Sequence, residues 1–244
     1  MNSIIKSIWE TGIEPPSFPE LKKDIKTDVL IIGGGIAGIL TAFYLSRAGV
    51  DYILVEKNTV CSGVTKNTTA KITSLHGLIY DELINKFGKE TARKYLYANE
   101  TAIKKYNELC KNIDCDFERT SAYTYSKDSL KKIEREINAL NSLGATADLF
   151  RSLPLPFKVA GAVGVENQAQ FNPLKFIKHI AKDLNIYENS MVHKLTKKGA
   201  LCEEGEITAN SIIVTTHFPF LNKHGSYFLK LYQHRSYVLA LENA

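Results

Sequence analysis

Hydrophobic and polar positions change period twice between Thr27 and Glu56. Val29 to Ile32 is an unbroken apolar run rich in β-branched residues, which predicts a parallel strand buried on both faces. Ile39, Ala42, Phe43 and Leu45 then recur at helical spacing, Gly49 ends that helix, and Tyr52 to Val55 predicts a second strand. Further on, His76-Gly77 leads into another helix, and residues 89 to 112 form a long amphipathic one with its stripe on Ala92, Tyr95-Leu96, Ala102-Ile103, Tyr106 and Leu109-Cys110. Phe117 to Tyr125 predicts a strand. Leu130, Ile133, Ile137 and Leu140 share a helix face that stops at Gly144.

After the rigid Pro154-Leu-Pro156 turn, Val159 to Val165 predicts a strand interrupted by Gly161 and Gly164. Asn172-Pro173 opens a helix with an N-cap and an N1 proline. Short strands follow at Ile186-Tyr187, Met191 to Leu195, Ala200 to Glu203 and Glu206 to Thr208. Ser211-Ile-Ile-Val-Thr-Thr216 repeats the opening pattern, a buried strand breaking into small polar residues, and Tyr237 to Leu241 reads as one more strand. Residues 1 to 26, with Trp9, Pro15-Pro16, Phe18 and Pro19, read as an extended arm on the surface. The 81–151 block does not continue the strand–helix alternation and reads as a second domain.

The first strand runs into Gly33-x-Gly35-x-x-Gly38. Gly33 permits a tight turn, Gly35 lets the backbone approach a pyrophosphate, and Gly38 lets helix and strand pack closely. The pyrophosphate sits at the helix N-terminus, where N–H groups and the dipole favour an anion. Glu56 closes the second strand roughly 20 positions past the last glycine, where a carboxylate accepts both ribose hydroxyls. That acid disfavours a 2′-phosphate, so NADP is disfavoured; NAD and FAD both use such a unit. The wide separation of the opening strand from the returning strand at Ile212 favours FAD, whose domain is split by a substrate domain. An NAD-linked dehydrogenase is the alternative.

The loop from Lys57 to Thr73 is crowded with small and hydroxylated residues, and its length favours a function for Thr65, Thr68 and Thr69 at a bound cofactor. Lys71 and His76 are catalytic candidates only by proximity to that loop, and no side chain stands out as catalytic. Net charge is +5, from 31 basic and 26 acidic residues dispersed as pairs, which argues against a nucleic-acid surface. Four scattered cysteines fit reduced thiols rather than disulfides or a metal site. With no signal-like start and no apolar span of membrane length, a cytoplasmic protein is expected.

Thr27 to Glu56, Thr68-Thr-Ala-Lys-Ile-Thr-Ser-Leu-His-Gly77, Asn167-Gln-Ala-Gln-Phe-Asn-Pro173 and Val214-Thr-Thr-His-Phe-Pro219 together resemble the FAD-dependent oxidoreductases of the D-amino-acid oxidase and glycine oxidase superfamily. Within it, the likeness is to the branch whose members often carry a C-terminal Rieske iron–sulfur domain. The resemblance implies an α/β fold, a Rossmann-like three-layer FAD/NAD(P)-binding domain (27–80 and 152–224) interrupted by an α+β substrate domain (81–151 and 225–244). It implies FAD as cofactor, held by Gly33, Gly34, Gly35, Ile36, Ala37, Gly38 and Glu56, with Lys57 near the adenosine. Thr65, Thr68 and Thr69 are implied near the pyrophosphate and flavin, and Val192 at the adenine through its backbone. Thr215, Thr216 and His217 stand where relatives have small residues beside the cofactor, in place of the commoner Ala-x-Gly.

The implied activity is oxidation of an amine or amino-acid C–N bond by hydride transfer to flavin, with a small-molecule substrate and neither nucleic acid nor membrane as partner. Relatives continue past this point with further substrate-domain strands and a second glycine-rich flavin loop. The chain is therefore read as the N-terminal part of a longer protein, whose parent could carry a Rieske domain. Alone, it is expected to bind FAD weakly without turnover, as a truncated nucleotide-binding module would.

Overall fold

The structure is a computed structural model that describes residues 7–14, 16–220 and 226–233. In chain order its elements are β1 (Ile25–Ile32), α1 (Ile36–Arg47), β2 (Tyr52–Val55), β3 (Lys71–Ile72), α2 (Tyr80–Phe87), α3 (Lys89–Cys110), β4 (Glu118–Ser126) and α4 (Leu130–Leu143). They continue with β5 (Ala147–Phe150), β6 (Gly161–Gln170), α5 (Pro173–Ile180), β7 (Ile186–Tyr187), β8 (Val192–Thr196), β9 (Gly199–Cys202), β10 (Glu206–Val214) and α6 (Tyr227–Lys230). Single 3-10 turns lie at Ile8–Glu10 and Val64–Asn67. The fold is α/β. The chain divides into two compact units, 16–62 with 183–244, and 1–15 with 63–182.

In the first unit the described strands form one sheet in the order β7-β2-β1-β10-β9-β8. β7, β2, β1 and β10 are parallel, and β9 and β8 complete the sheet antiparallel. β1 is central, and so its apolar run is buried from Leu30 to Ile32. Leu30, Ile32, Ile53 and Val55 join Leu21, Val192, Ala200 and Ile207 in one core cluster. Ile31 and Leu54 alternate to the opposite face, the side taken by α1, which packs on β1 and β2. The predicted strands at Glu206–Thr208 and Ser211 onward are one strand, because β10 keeps a single register along β1 from Ile25↔Ile207 to Ile32↔Val214.

The second unit is α+β. β6 is its central strand, antiparallel to β4 on one side and to β3 and β5 on the other. Val163 and Val165 pack with Leu96 of α3 and with Ile133, Leu140 and Leu143 of α4. Burying each such side chain contributes about 1.5–3 kcal/mol. α4 stops where the sequence indicates, at Gly144 with φ +98°. α5 likewise opens at Asn172, whose side chain accepts from Leu174 N and Lys175 N.

The domain boundaries expected from the sequence differ from this division. Residues 63–80 and 152–182 were expected in the nucleotide domain, but β3 pairs with β6, and β6 with β4 and β5, rather than with β1. The N-terminal stretch is not one arm either. Ser7 to Glu10 docks in the second unit, where Trp9 Nε1 donates to Thr68 O at 2.8 Å and Glu10 pairs with Lys66 at 2.9 Å. Residues 16 to 26 belong to the first unit, and their last two already form β1. Residues 226–233 fall in the first unit, and the strand expected at Tyr237–Leu241 lies outside the described residues.

Candidate dinucleotide site

β1 ends at Ile32 and the chain turns through Gly33, whose φ of +112° is a conformation side chains rarely adopt. Space demands glycine there as well. A Cβ on Gly33 would lie 2.8 Å from Thr215 O, and one on Gly38 would lie 1.9 Å from Gly33 O. Thr215 closes this end from β10. Its N–H donates to Ile32 O at 2.8 Å, and its hydroxyl lies 2.8 Å from Gly33 O and 3.0 Å from Ile32 O. The threonine thus holds the turn with its own side chain, in the place where the resemblance puts a small residue beside the cofactor.

Gly34 is enclosed on both sides. Its N–H donates to Glu56 Oε2 at 2.7 Å, and its carbonyl accepts from Cys61 N–H at 2.9 Å. A Cβ at this position would lie 2.9 Å from Glu56 Cβ and 3.1 Å from Val60 Cγ1. Gly33 and Gly35 on either side have their places in the spacing motif. The middle one is needed because the Glu56–Cys61 loop rests on it.

Gly35 is the N-cap of α1, with extended backbone and no side-chain cap. Ile39 N–H is bonded to Gly35 O at 3.0 Å, the first intrahelical bond. The first turn carries no acidic residue, so the helix end keeps its positive character for an anion. Ile36 and Gly35 are half-buried and Ala37 is exposed. A Cβ-free turn beside an uncapped, acid-free helix start fits a pyrophosphate. Glu56 is half-buried beside it, its Oε1 accepting from Asn58 N–H at 3.0 Å.

Lys57 is exposed, and Val192 is buried at the start of β8 within the apolar cluster. Thr216 is half-buried and its hydroxyl donates to Phe218 O at 3.0 Å. His217 is exposed and takes φ +63°, the left-handed conformation that suits glycine. Gly33, Gly34, Gly38, Glu56 and Thr215 are therefore brought together in the first unit. Thr65, Thr68 and Thr69 belong to the second. Thr65 is buried in its 3-10 turn, Thr68 Oγ1 accepts from Ala70 N–H at 3.1 Å, and Thr69 is exposed. Lys71 is exposed on β3, and exposed His76 places Nδ1 2.9 Å from Tyr95 OH.

The cysteines are free thiols. Burial pushes Cys110 and Cys115 up, and pushes Cys202 up to about 11. All three stay protonated at neutral pH and are poor nucleophiles. Among the described residues no cluster of metal-ligating side chains is present, and no helix is long and apolar enough to cross a membrane.

The sequence profile of the FAD dependent oxidoreductases (DAO) matches residues 28–244. The chain belongs to that family. Its cofactor is FAD, and the group supplies the redox chemistry while the protein supplies binding and orientation.

This FAD dependent oxidoreductase is similar to a putative Rieske 2Fe-2S iron-sulfur protein of Bacillus subtilis (strain 168), at 39% identity over 254 residues, 97% of this chain and 49% of that protein. It spans about half the length of that curated relative. L-proline dehydrogenase from P. horikoshii shares the fold at TM-score 0.65 and 19% identity, over 82% of this chain and 54% of that one. Glycine oxidase from Bacillus cereus ATCC 14579 does so at TM-score 0.56 and 19% identity, over 78% and 55%.

Proposed function

We propose that the Gly33–Gly38 turn of this oxidoreductase holds the ADP half of FAD, with the pyrophosphate at the start of α1 and the ribose hydroxyls on Glu56. Lys57 lies by the adenosine, the Val192 backbone meets the adenine, and Thr215, Thr216 and His217 line the turn from the end of β10. The observation that carries this reading is the turn itself, where Gly33, Gly34 and Gly38 leave no space for a Cβ beside an uncapped helix start. The protein's part is to fix that half of the cofactor and to leave the flavin end for a substrate.

The reaction proposed is oxidation of the C–N bond of an amine or amino acid, with the hydride passing to the flavin. The names of two proteins sharing the fold, a proline dehydrogenase and a glycine oxidase, support that substrate class. The parent protein, in this reading, works in the cytoplasm and carries a Rieske domain. The relative named for one, about twice the length of this chain, supports that.

The test is titration with FAD and with ADP, comparing the wild type with Glu56→Ala. The variant is expected to lose about 1.5–3 kcal/mol of affinity for both, as for a hydrogen bond to a charged group. Unchanged affinity would show that the ribose is held elsewhere. For the substrate class, bleaching of the flavin absorbance of the longer parent protein under anaerobic amino acids or amines is the expected result, and a parent flavin that none of them reduces would refute it.

A further inference from the structure

Glu188 follows the two-residue strand β7 and is 2% exposed. Its carboxylate has two backbone donors, Val60 N–H at 2.6 Å on Oε1 and Phe18 N–H at 3.1 Å on Oε2. Val60 lies in the loop whose other members grip Gly34, with Glu56 on its N–H and Cys61 on its carbonyl. The residues around Glu188 hold the same loop along its backbone. Glu56 N–H donates to Tyr187 O at 2.9 Å, Ser190 N–H to Glu56 O at 2.9 Å, and Asn189 N–H to Asn58 O at 2.9 Å. On the far side, Glu188 N–H donates to Pro19 O at 3.0 Å and Leu21 N–H to Ser190 Oγ at 2.9 Å. Buried carboxylates are costly unless donors surround them, so one placed here fixes the loop it bonds.

We propose that Glu188 is a positioning residue for the cofactor: through Val60 it sets the loop that begins at Glu56, and so holds the Glu56 carboxylate for the ADP half of FAD. This rests on the reading that Glu56 and the glycine turn bind that half. Glu188's carboxylate bonds Val60 and Phe18, and its effect travels along the backbone of the loop. A carboxylate suits the place because both oxygens face N–H donors. A glutamine of equal size accepts at one position only and turns an N–H toward the other donor.

The experiment measures ADP and FAD dissociation constants for the whole chain as wild type, Glu56→Ala, Glu188→Gln and the double variant. Each is assayed below its own melting transition. Glu188→Gln is expected to weaken ADP and FAD equally, by about tenfold, the effect of roughly one charged hydrogen bond. In the Glu56→Ala background the same change should have no further effect, because its route runs through Glu56; a residue that only stabilised the fold would not produce that non-additivity. Wild-type affinity in Glu188→Gln, or losses that multiply in the double variant, would overturn the role of Glu188. Wild-type affinity in Glu56→Ala would instead overturn the site on which it rests. If Glu188→Gln does not fold, Val60→Pro removes the loop's donor while leaving the carboxylate, and the same outcomes decide.

Discussion

Thr27 sits in β1 only 4% exposed, and its Oγ1 has no hydrogen-bond partner among the described residues. A buried hydroxyl without a partner carries a desolvation cost, so Thr27→Val, the same shape without the oxygen, is expected to stabilise the chain by about 1–2 kcal/mol. Urea denaturation should show a higher midpoint at unchanged slope, and an unchanged or lower midpoint would refute it. The sequence could not signal this, since Thr27 reads as the polar border of an apolar run. Gly33 and Gly38 were legible because a fixed spacing with a known steric reason marks them. Gly34 is implied at the cofactor by the resemblance but has no place in the spacing, for its constraint comes from Glu56 and Val60, brought to it by folding. Glu188 had no signal at all. It is one carboxylate among 26 acidic residues, and only the N–H groups it meets distinguish it.

Among the elements, α2 shows how a helix end can be capped from outside. Ile79 offers it no side-chain cap, and the buried carboxylate of Glu136 on α4 accepts from Tyr80 N–H at 2.8 Å and Asp81 N–H at 3.0 Å. The charge also lies at the positive end of the α2 dipole. Glu136→Ala strands two donors at a buried position and should cost about 3 kcal/mol, read by chemical denaturation. A loss below about 0.5 kcal/mol, the level of an ordinary surface change, would show the cap to be idle. Local signals gave α4 and α5 their correct ends, because Gly144 and Asn172-Pro173 act within one turn of chain. They could not give β5 or the partners of β6, because pairing is set between distant segments. Glu136 belongs with these, since an acid between Ile133 and Ile137 reads as part of a solvated helix face.

For the molecule as a whole, the division into units has a consequence for autonomy. Residues 63–182 are one continuous stretch containing all of the antiparallel sheet, together with the α3 and α4 side chains that pack on it. Expressed alone, that stretch is expected to melt in a single cooperative transition by circular dichroism, at a lower temperature than in the whole chain, since it lacks Trp9 and its bond to Thr68 O. A broad, non-cooperative trace would show that its core is incomplete.

The register of β1 has a further consequence, for the order in which the protein is made. Val29 to Ile32 meet Tyr52 to Val55 of β2 early, but on its other edge β1 waits for β10, with Ile25 opposite Ile207 and Ile32 opposite Val214. At synthesis rates of roughly 5–20 residues per second, the apolar face of β1 waits on the order of 10–40 seconds for β10 to leave the ribosome. During that interval residues 63–182 emerge complete and can fold, while the glycine turn has no Thr215 to close it. The nascent chain therefore carries a finished insert and an unfinished cofactor site. Until β10 arrives, the edge of Val29–Ile32 that it will cover stays open.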